Sequence, residues 1–233
     1  MTGDQRGPVA SPREQPIVPA VPGLRAPRAA AIAGLAFGVL YILSTYVMTI
    51  RPPDGLSVSD FPDWYSNATS NLTIVSLYLA PLAGIAFLWF VAVIRNRIGE
   101  REDRFFATVF IGRGLLFVAL FWAAAATVAS LVPVTRTDSA TAPDLATFDL
   151  VRSLARAFFT YATRAASVFV IVTSTIALGT ATFPRWLVGI GYLIALVQFF
   201  AAGLIEVAVL LFPVWVMLLS ATILVGDVRL RRA

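Results

Sequence analysis

The stretch Trp186–Gly226, WLVGIGYLIALVQFFAAGLIEVAVLLFPVWVMLLSATILVG, decides the fold: 41 residues with one charge among them, Glu206. A helix rises about 1.5 Å per residue and bilayer hydrocarbon is about 30 Å thick, so about twenty apolar residues make one crossing. This run is long enough for two. It predicts a helical hairpin with spans at 186–203 and 206–226, turning near Ala201 to Glu206. Upstream, residues 29–50 and 71–94 are uncharged, 105–132 carry only Arg113, and 157–179 carry only Arg164. The expectation is an all-α polytopic transmembrane helical bundle of six spans filling residues 29–226.

Composition agrees with the run lengths. The 233 residues are 58% hydrophobic and 13% charged, with a mean hydropathy of +0.82, well beyond what a soluble domain carries. Histidine, cysteine and lysine are absent, and all 18 basic residues are Arg. That excludes His- or thiolate-ligated haem, iron and zinc sites, disulfides, a Ser-His dyad and a Cys nucleophile. No cofactor, metal or catalytic set is expected. The basic charge lies between apolar runs rather than on one soluble face, which argues against a nucleic-acid partner and for membrane orientation.

Positive charge is retained on the cytoplasmic side of a membrane. With six spans, one side receives Arg6, Arg13, Arg25, Arg28, Arg95, Arg97, Arg101, Arg104, Arg185, Arg229, Arg231 and Arg232, and the other receives Arg51, Arg136, Arg152 and Arg156. Twelve against four places both termini in the cytoplasm. Residues 1–28, with six prolines, read as a disordered cytoplasmic tail, and 227–233 as a short basic one. Within the spans, Ala30, Gly34 and Gly38, and Ala80 with Gly84, repeat at four-residue spacing and would let helices approach closely. Pro81 and Pro213 are expected to kink their helices, and Trp64, Tyr65, Trp89 and Trp186 to anchor at the interfaces.

The segments PLAGIAFLWFVAVIRNRIGEREDRFFATVFIGRGLLF (81–117), FPRWLVGIGYLIAL (183–196) and FPVWVMLLSATIL (212–224) resemble an uncharacterised family of bacterial, largely actinobacterial, multi-pass membrane proteins. The resemblance covers about two thirds of the chain and implies a helical bundle in the bacterial inner membrane. It implies no activity, so no residue role is carried over.

Five residues are candidate polar membrane positions: Arg164, Glu206, Arg113, Arg152 and Arg156. Charge at membrane depth is costly unless paired or snorkelled. Arg164 and Glu206 fall toward the same side of the bilayer, as a structural ion pair or as the polar gate of an outer-leaflet pocket. Asp149, Arg152, Arg156, Thr160, Thr163 and Ser167 follow at steps of three or four along one helical face. That face either lines a vestibule for an anionic ligand or is an amphipathic lead-in lying in the interface. Arg113, between Gly112 and Gly114, snorkels to the inner surface or binds a lipid phosphate. The loop RNRIGEREDR at 95–104 is a solvated turn or a docking site for a protein partner.

No pair of carboxylates lies within the spans and no His can act as base, so an enzyme is not expected. The reading is a non-catalytic accessory, scaffold or regulatory membrane protein whose partners are the lipid bilayer and a membrane protein or a second copy of itself. The alternative is a permease for a small solute or lipid, with its polar site at Arg164 and Glu206. A scaffold requires a closed bundle; a carrier requires a polar cavity reaching Arg164.

Overall fold

The computed structural model describes residues 26–98, 104–132, 143–180 and 183–230. Residues 1–25, with most of the proline-rich segment, and residues 99–103, 133–142, 181–182 and 231–233 lie outside them, as do the side chains of Glu206 and Arg104. Among the described residues all regular secondary structure is helical, with seven α-helices: α1 Ala26–Met48, α2 Phe61–Ile74, α3 Ala80–Ile98, α4 Arg104–Ala129, α5 Leu145–Thr180, α6 Arg185–Ala201 and α7 Leu211–Leu230. Five helical stretches are long and apolar enough to cross a membrane: α1, the continuous α2–α3 rod, α4, α5 and α7. α6, at 17 residues, is shorter than that length.

Successive helices run antiparallel, as their paired contacts show. Going up α1, Gly34 meets Ser220 of α7 and Gly38 meets Met217, so the start of α1 and the end of α7 share one end of the bundle. On α3 and α4, Gly84 faces Trp122 while Gly114 faces Val91. On α6 and α7, Gly191 faces Trp215 while the Gln198 amide donates to the Ala208 carbonyl at 3.1 Å. The expected hairpin turn is present. α6 stops at Ala201, Gly203 takes φ +89°, and a 3₁₀ turn Glu206–Leu210 leads into α7. A left-handed φ is where a Cβ is strained, so glycine suits this tight reversal.

The small residues act as seats. A Cβ on Gly34 would run into the Ser220 hydroxyl and the Phe90 ring, one on Gly38 into the Met217 side chain, and one on Gly84 into the Trp122 indole. With that room, Trp122 Nε1 reaches the Ala80 carbonyl at 3.1 Å. Lipid is as apolar as a side chain, so close van der Waals contact rather than water exclusion holds such helices together.

Between these seats lies an aromatic centre. Phe37, Phe87, Phe117 and Phe212, one from each of α1, α3, α4 and α7, are fully buried, with centroids 4.9 Å apart for Phe37–Phe87 and Phe87–Phe117 and 5.0 Å for Phe117–Phe212. Phe169 of α5 joins Phe87 at 5.2 Å. Offset and edge-on pairs of this kind contribute about 0.5–1.5 kcal/mol each beyond area burial. The outside of the bundle is also apolar: Trp89 and Phe200 are 65% and 69% exposed. A surface of that kind needs an apolar solvent.

Three expectations change. The 71–94 span is part of a rod that begins ten residues earlier at Phe61, and the 157–179 span is part of the 36-residue α5, which begins at Leu145. Charge ended the predicted segments, but helix formation does not stop at the edge of hydrocarbon. Pro213 falls beside a change of helix type rather than in the middle of a helix. It stands in the first turn of α7, just after the 3₁₀ turn, where an absent N–H costs little. Pro81 does disturb its rod, through the π-turn Val75–Leu79, in which Ala80 N–H donates five residues back to Val75. Trp64 and Tyr65 also differ from simple interface anchors. Tyr65 is buried, its hydroxyl donating to the Leu131 carbonyl, and Trp64 stacks on Phe61 at 5.9 Å and meets Phe148 edge-on at 5.7 Å.

Candidate functional site

The end of the bundle opposite Ala26 and Leu230 is built differently. Here α5 begins, and Asp144 caps it: the carboxylate accepts from the Thr147 hydroxyl and from the Thr147 N–H, the latter at 2.8 Å, and these hydrogen bonds hold its pKa below the usual Asp value. The first three turns of α5 pack Phe148 and Val151 against Phe61, Trp64 and Tyr65 of α2 and Leu131 at the end of α4. This small apolar cluster forms a roof, separate from the main core. Between roof and core lies a cavity of about 260 Å³.

Its walls come from every element that reaches this end: Met48 of α1, Leu72 of α2, Val128 of α4, Ala155 and Phe159 of α5, and the α6–α7 turn at Gly203–Ile205. Phe159 forms part of the wall and stands against Tyr41 at 5.9 Å and Phe121 at 6.2 Å, which ties that wall to the aromatic centre. Three charged side chains line the cavity among the described residues, and all are arginines: Arg51, Arg152 and Arg156. The same three also line a wider, more open vestibule of about 510 Å³ beside it, together with Asp54, Asp149 and the Arg51–Ser57 segment. The arginines are a collar between an apolar chamber and a polar porch.

Each arginine arrives by a different route. Arg51 follows the end of α1, where carbonyl groups carry the negative end of the helix dipole and favour cations. Arg152 donates from Nη1 to the Ile50 carbonyl just beyond that end, and its guanidinium lies 5.5 Å from the Phe148 ring centre. Arg156, one turn further along α5, is exposed at the collar. Two of the cavity's three threonine hydroxyls are engaged with their own helices, Thr160 donating to the Arg156 carbonyl at 2.9 Å and Thr49 to the Tyr46 carbonyl at 2.8 Å, while the third, buried Thr45, makes no such bond. Charge in the chamber therefore comes from guanidinium.

Of the predicted polar positions, Arg152 and Arg156 are brought together here, and the polar face of α5 divides in two. Asp149, Arg152, Arg156 and Thr160 face the openings, whereas Thr163 and Ser167 are buried and donate back to Phe159 and Arg164 carbonyls at 2.9 and 2.7 Å. Arg164 is not a lining residue. At about 100° per residue it stands about 80° round the helix from Arg156, and its guanidinium lies 5.8 Å from the Tyr161 ring centre instead. Glu206 opens the 3₁₀ turn directly after Ile205, a lining residue, but its side chain is outside the described ones. Arg113 is exposed on the flank of α4, far along the helix from the cavity residues Val128 and Leu131.

Sequence reasoning missed Arg51 as a site residue. Its signal was available: it ends an uncharged run on the side that the alternation of spans assigns to Arg152 and Arg156. The buried Gln198, which ties α6 to the start of α7, was also missed, being one polar residue in an apolar stretch.

Fold and site together define a class: an all-helical protein with membrane-length apolar helices and an arginine-collared apolar cavity at one end. No protein-family model matches the chain, and neither a curated protein nor a solved structure is significantly similar to it.

Proposed function

We propose that this chain is a non-catalytic membrane protein of the bacterial inner membrane that crosses the bilayer six times, keeps both ends in the cytoplasm, and holds a ligand at its outward end. The antiparallel succession of α1, the α2–α3 rod, α4, α5, α6 and α7 supports six crossings. α6 is about 25 Å long, close to the hydrocarbon thickness, and the arginine bias of twelve to four favours both ends inside. The observation that carries the ligand reading is the cavity of about 260 Å³, walled by apolar side chains and collared by Arg51, Arg152 and Arg156. It fits a receptor or accessory subunit better than a carrier, because the expected carrier position, Arg164, lies outside it and Phe159 leans on the packed aromatic centre. A transport reading draws on the π-turn next to Pro81, a place where the α2–α3 rod could flex, and predicts solute uptake by proteoliposomes.

The absence of cysteine makes the test clean. In intact cells, Ser153→Cys in the vestibule should react with a membrane-impermeant maleimide, and Ala233→Cys only after permeabilisation. The reverse pattern would overturn the orientation. Labelling of both in intact cells would overturn the even number of crossings.

A further inference from the structure

We infer that the cavity takes an amphiphile with one apolar tail and an anionic oxygen head, a phosphate or a carboxylate. This inference rests on the ligand-site reading above and names its ligand class. The chamber alone is too apolar for a free ion and too cationic for a hydrocarbon. Met48, Leu72, Val128 and Leu131 offer no hydrogen bond to a polar solute, while Arg51, Arg152 and Arg156 at the collar offer guanidinium donors matched to carboxylate and phosphate oxygens. Only a molecule with both characters satisfies both surfaces.

Size narrows the tail. A cavity of 150 Å³ holds benzene, so 260 Å³ has room for roughly ten tail carbons. Two long acyl chains would need about three times that volume. The head then lies at the collar and opens onto the vestibule, where Asp54 and Asp149 limit the net positive charge among the described residues to one. That balance suits a head of one or two negative charges rather than a polyanion, and the acid-free described lining of the chamber disfavours a cation. Depth agrees with an amphiphile. Measured back from Thr180, about twenty residues of α5 span the hydrocarbon and reach Thr160, which puts Arg156 and Arg152 at headgroup level. A ligand there enters from the outer leaflet or from the external solution, and both sources supply the same chemistry.

The test uses full-length protein purified in maltoside detergent, with binding read by calorimetry and thermal unfolding. The probes are decyl phosphate, decanoate, decyltrimethylammonium and inorganic phosphate. Saturable binding of either anionic decyl probe, with at least tenfold weaker binding of the cationic probe and of inorganic phosphate, is the expected result. Arg156→Gln should weaken the anionic probe about tenfold, the size of one charge-assisted contact. Ala155→Leu should abolish tail binding at unchanged melting temperature, and Arg113→Gln should leave binding unaltered. Equal binding of the cationic probe overturns the anionic class but leaves a ligand site standing. Inorganic phosphate binding as tightly as decyl phosphate, or full affinity in Ala155→Leu, overturns the tail placement. No saturable binding by any probe to folded protein overturns the ligand-site reading itself. The source is then distinguished in phosphatidylcholine vesicles: capture of lysophosphatidic acid placed in the membrane points to the leaflet, and capture of decanoate from solution alone points to the external medium. Capture of neither by protein correctly inserted in those vesicles overturns the inference.

Discussion

The two ends of this bundle are made from the same kind of helix and do opposite things with it. From the middle of the bundle toward the end that holds Ala26 and Leu230, aromatic rings and glycine seats bring α1, α3, α4 and α7 into contact: Phe87 against Phe117 at 4.9 Å, Gly38 under Met217, Gly34 under Ser220. Toward the other end, α5 and the α2–α3 rod run on together, a separate roof of Phe61, Tyr65, Leu131 and Phe148 closes over it, and about 260 Å³ stays unfilled between roof and core. The difference teaches where this protein spends its packing. Interiors normally fill their space, so a hollow bordered by three arginines beside a densely packed centre is the part of the molecule with room for a ligand, on which the proposed function rests, whereas the packed centre is a frame.

Substitutions can break or sharpen that contrast. Phe117→Ala should have the largest effect, about 3–5 kcal/mol of lost stability, because it empties the ring contacts with Phe37, Phe87 and Phe212 at once. Reversible unfolding in mixed detergent would measure it, and a loss under 1 kcal/mol would mean the centre is not the frame. Gly34→Leu comes next, at about 1–3 kcal/mol, since the new side chain meets Ser220 and Phe90; the same titration reads it. Tyr65→Phe removes the donor to the Leu131 carbonyl and should cost about 1 kcal/mol while loosening the roof, seen as faster amide exchange around Phe61 and Phe148. Ala155→Leu, equally buried but facing the hollow, should change stability by less than about 1 kcal/mol. A cost as large as that of Gly34→Leu would show the hollow to be full.

The smallest expected effect concerns pH. Asp144 accepts from the Thr147 hydroxyl and, as the cap of α5, from the Thr147 N–H, so its carboxyl titrates below the unfolded value, and the stabilisation is fully present above that value and lost as pH falls through the lowered one. Between about pH 5 and pH 3, the start of α5 should lose amide protection slightly, and Asp144→Ala should remove this dependence without altering the aromatic centre.

Much of this was readable along the chain. The hairpin turn between Ala201 and Glu206, the small-residue seats at Gly34, Gly38 and Gly84, and the helical character of every apolar run follow from residue types and local spacing. The start of the second apolar helix was not, because uncharged length does not set helix length and that helix continues into polar sequence from Phe61; the polar extension of α5 was legible from Asp149 onward in its three- and four-residue spacing, four residues short of its start at Leu145. Arg164 was the more conspicuous residue from sequence, being a lone charge in an apolar span, yet the cavity belongs to Arg51, Arg152 and Arg156, which looked like ordinary loop and interface charges.

The sequence alone determined that this protein is helical, that its helices are long and apolar enough for a membrane, and that its arginines are unevenly shared between the connecting segments, because hydropathy and charge are properties of consecutive residues. Only the tertiary structure decided that residues 51, 152 and 156 meet around one hollow. Which faces of two helices meet depends on how each is rotated and how far it extends past its neighbours, and here that is set by rings and glycine seats distant in the chain from the arginines they align.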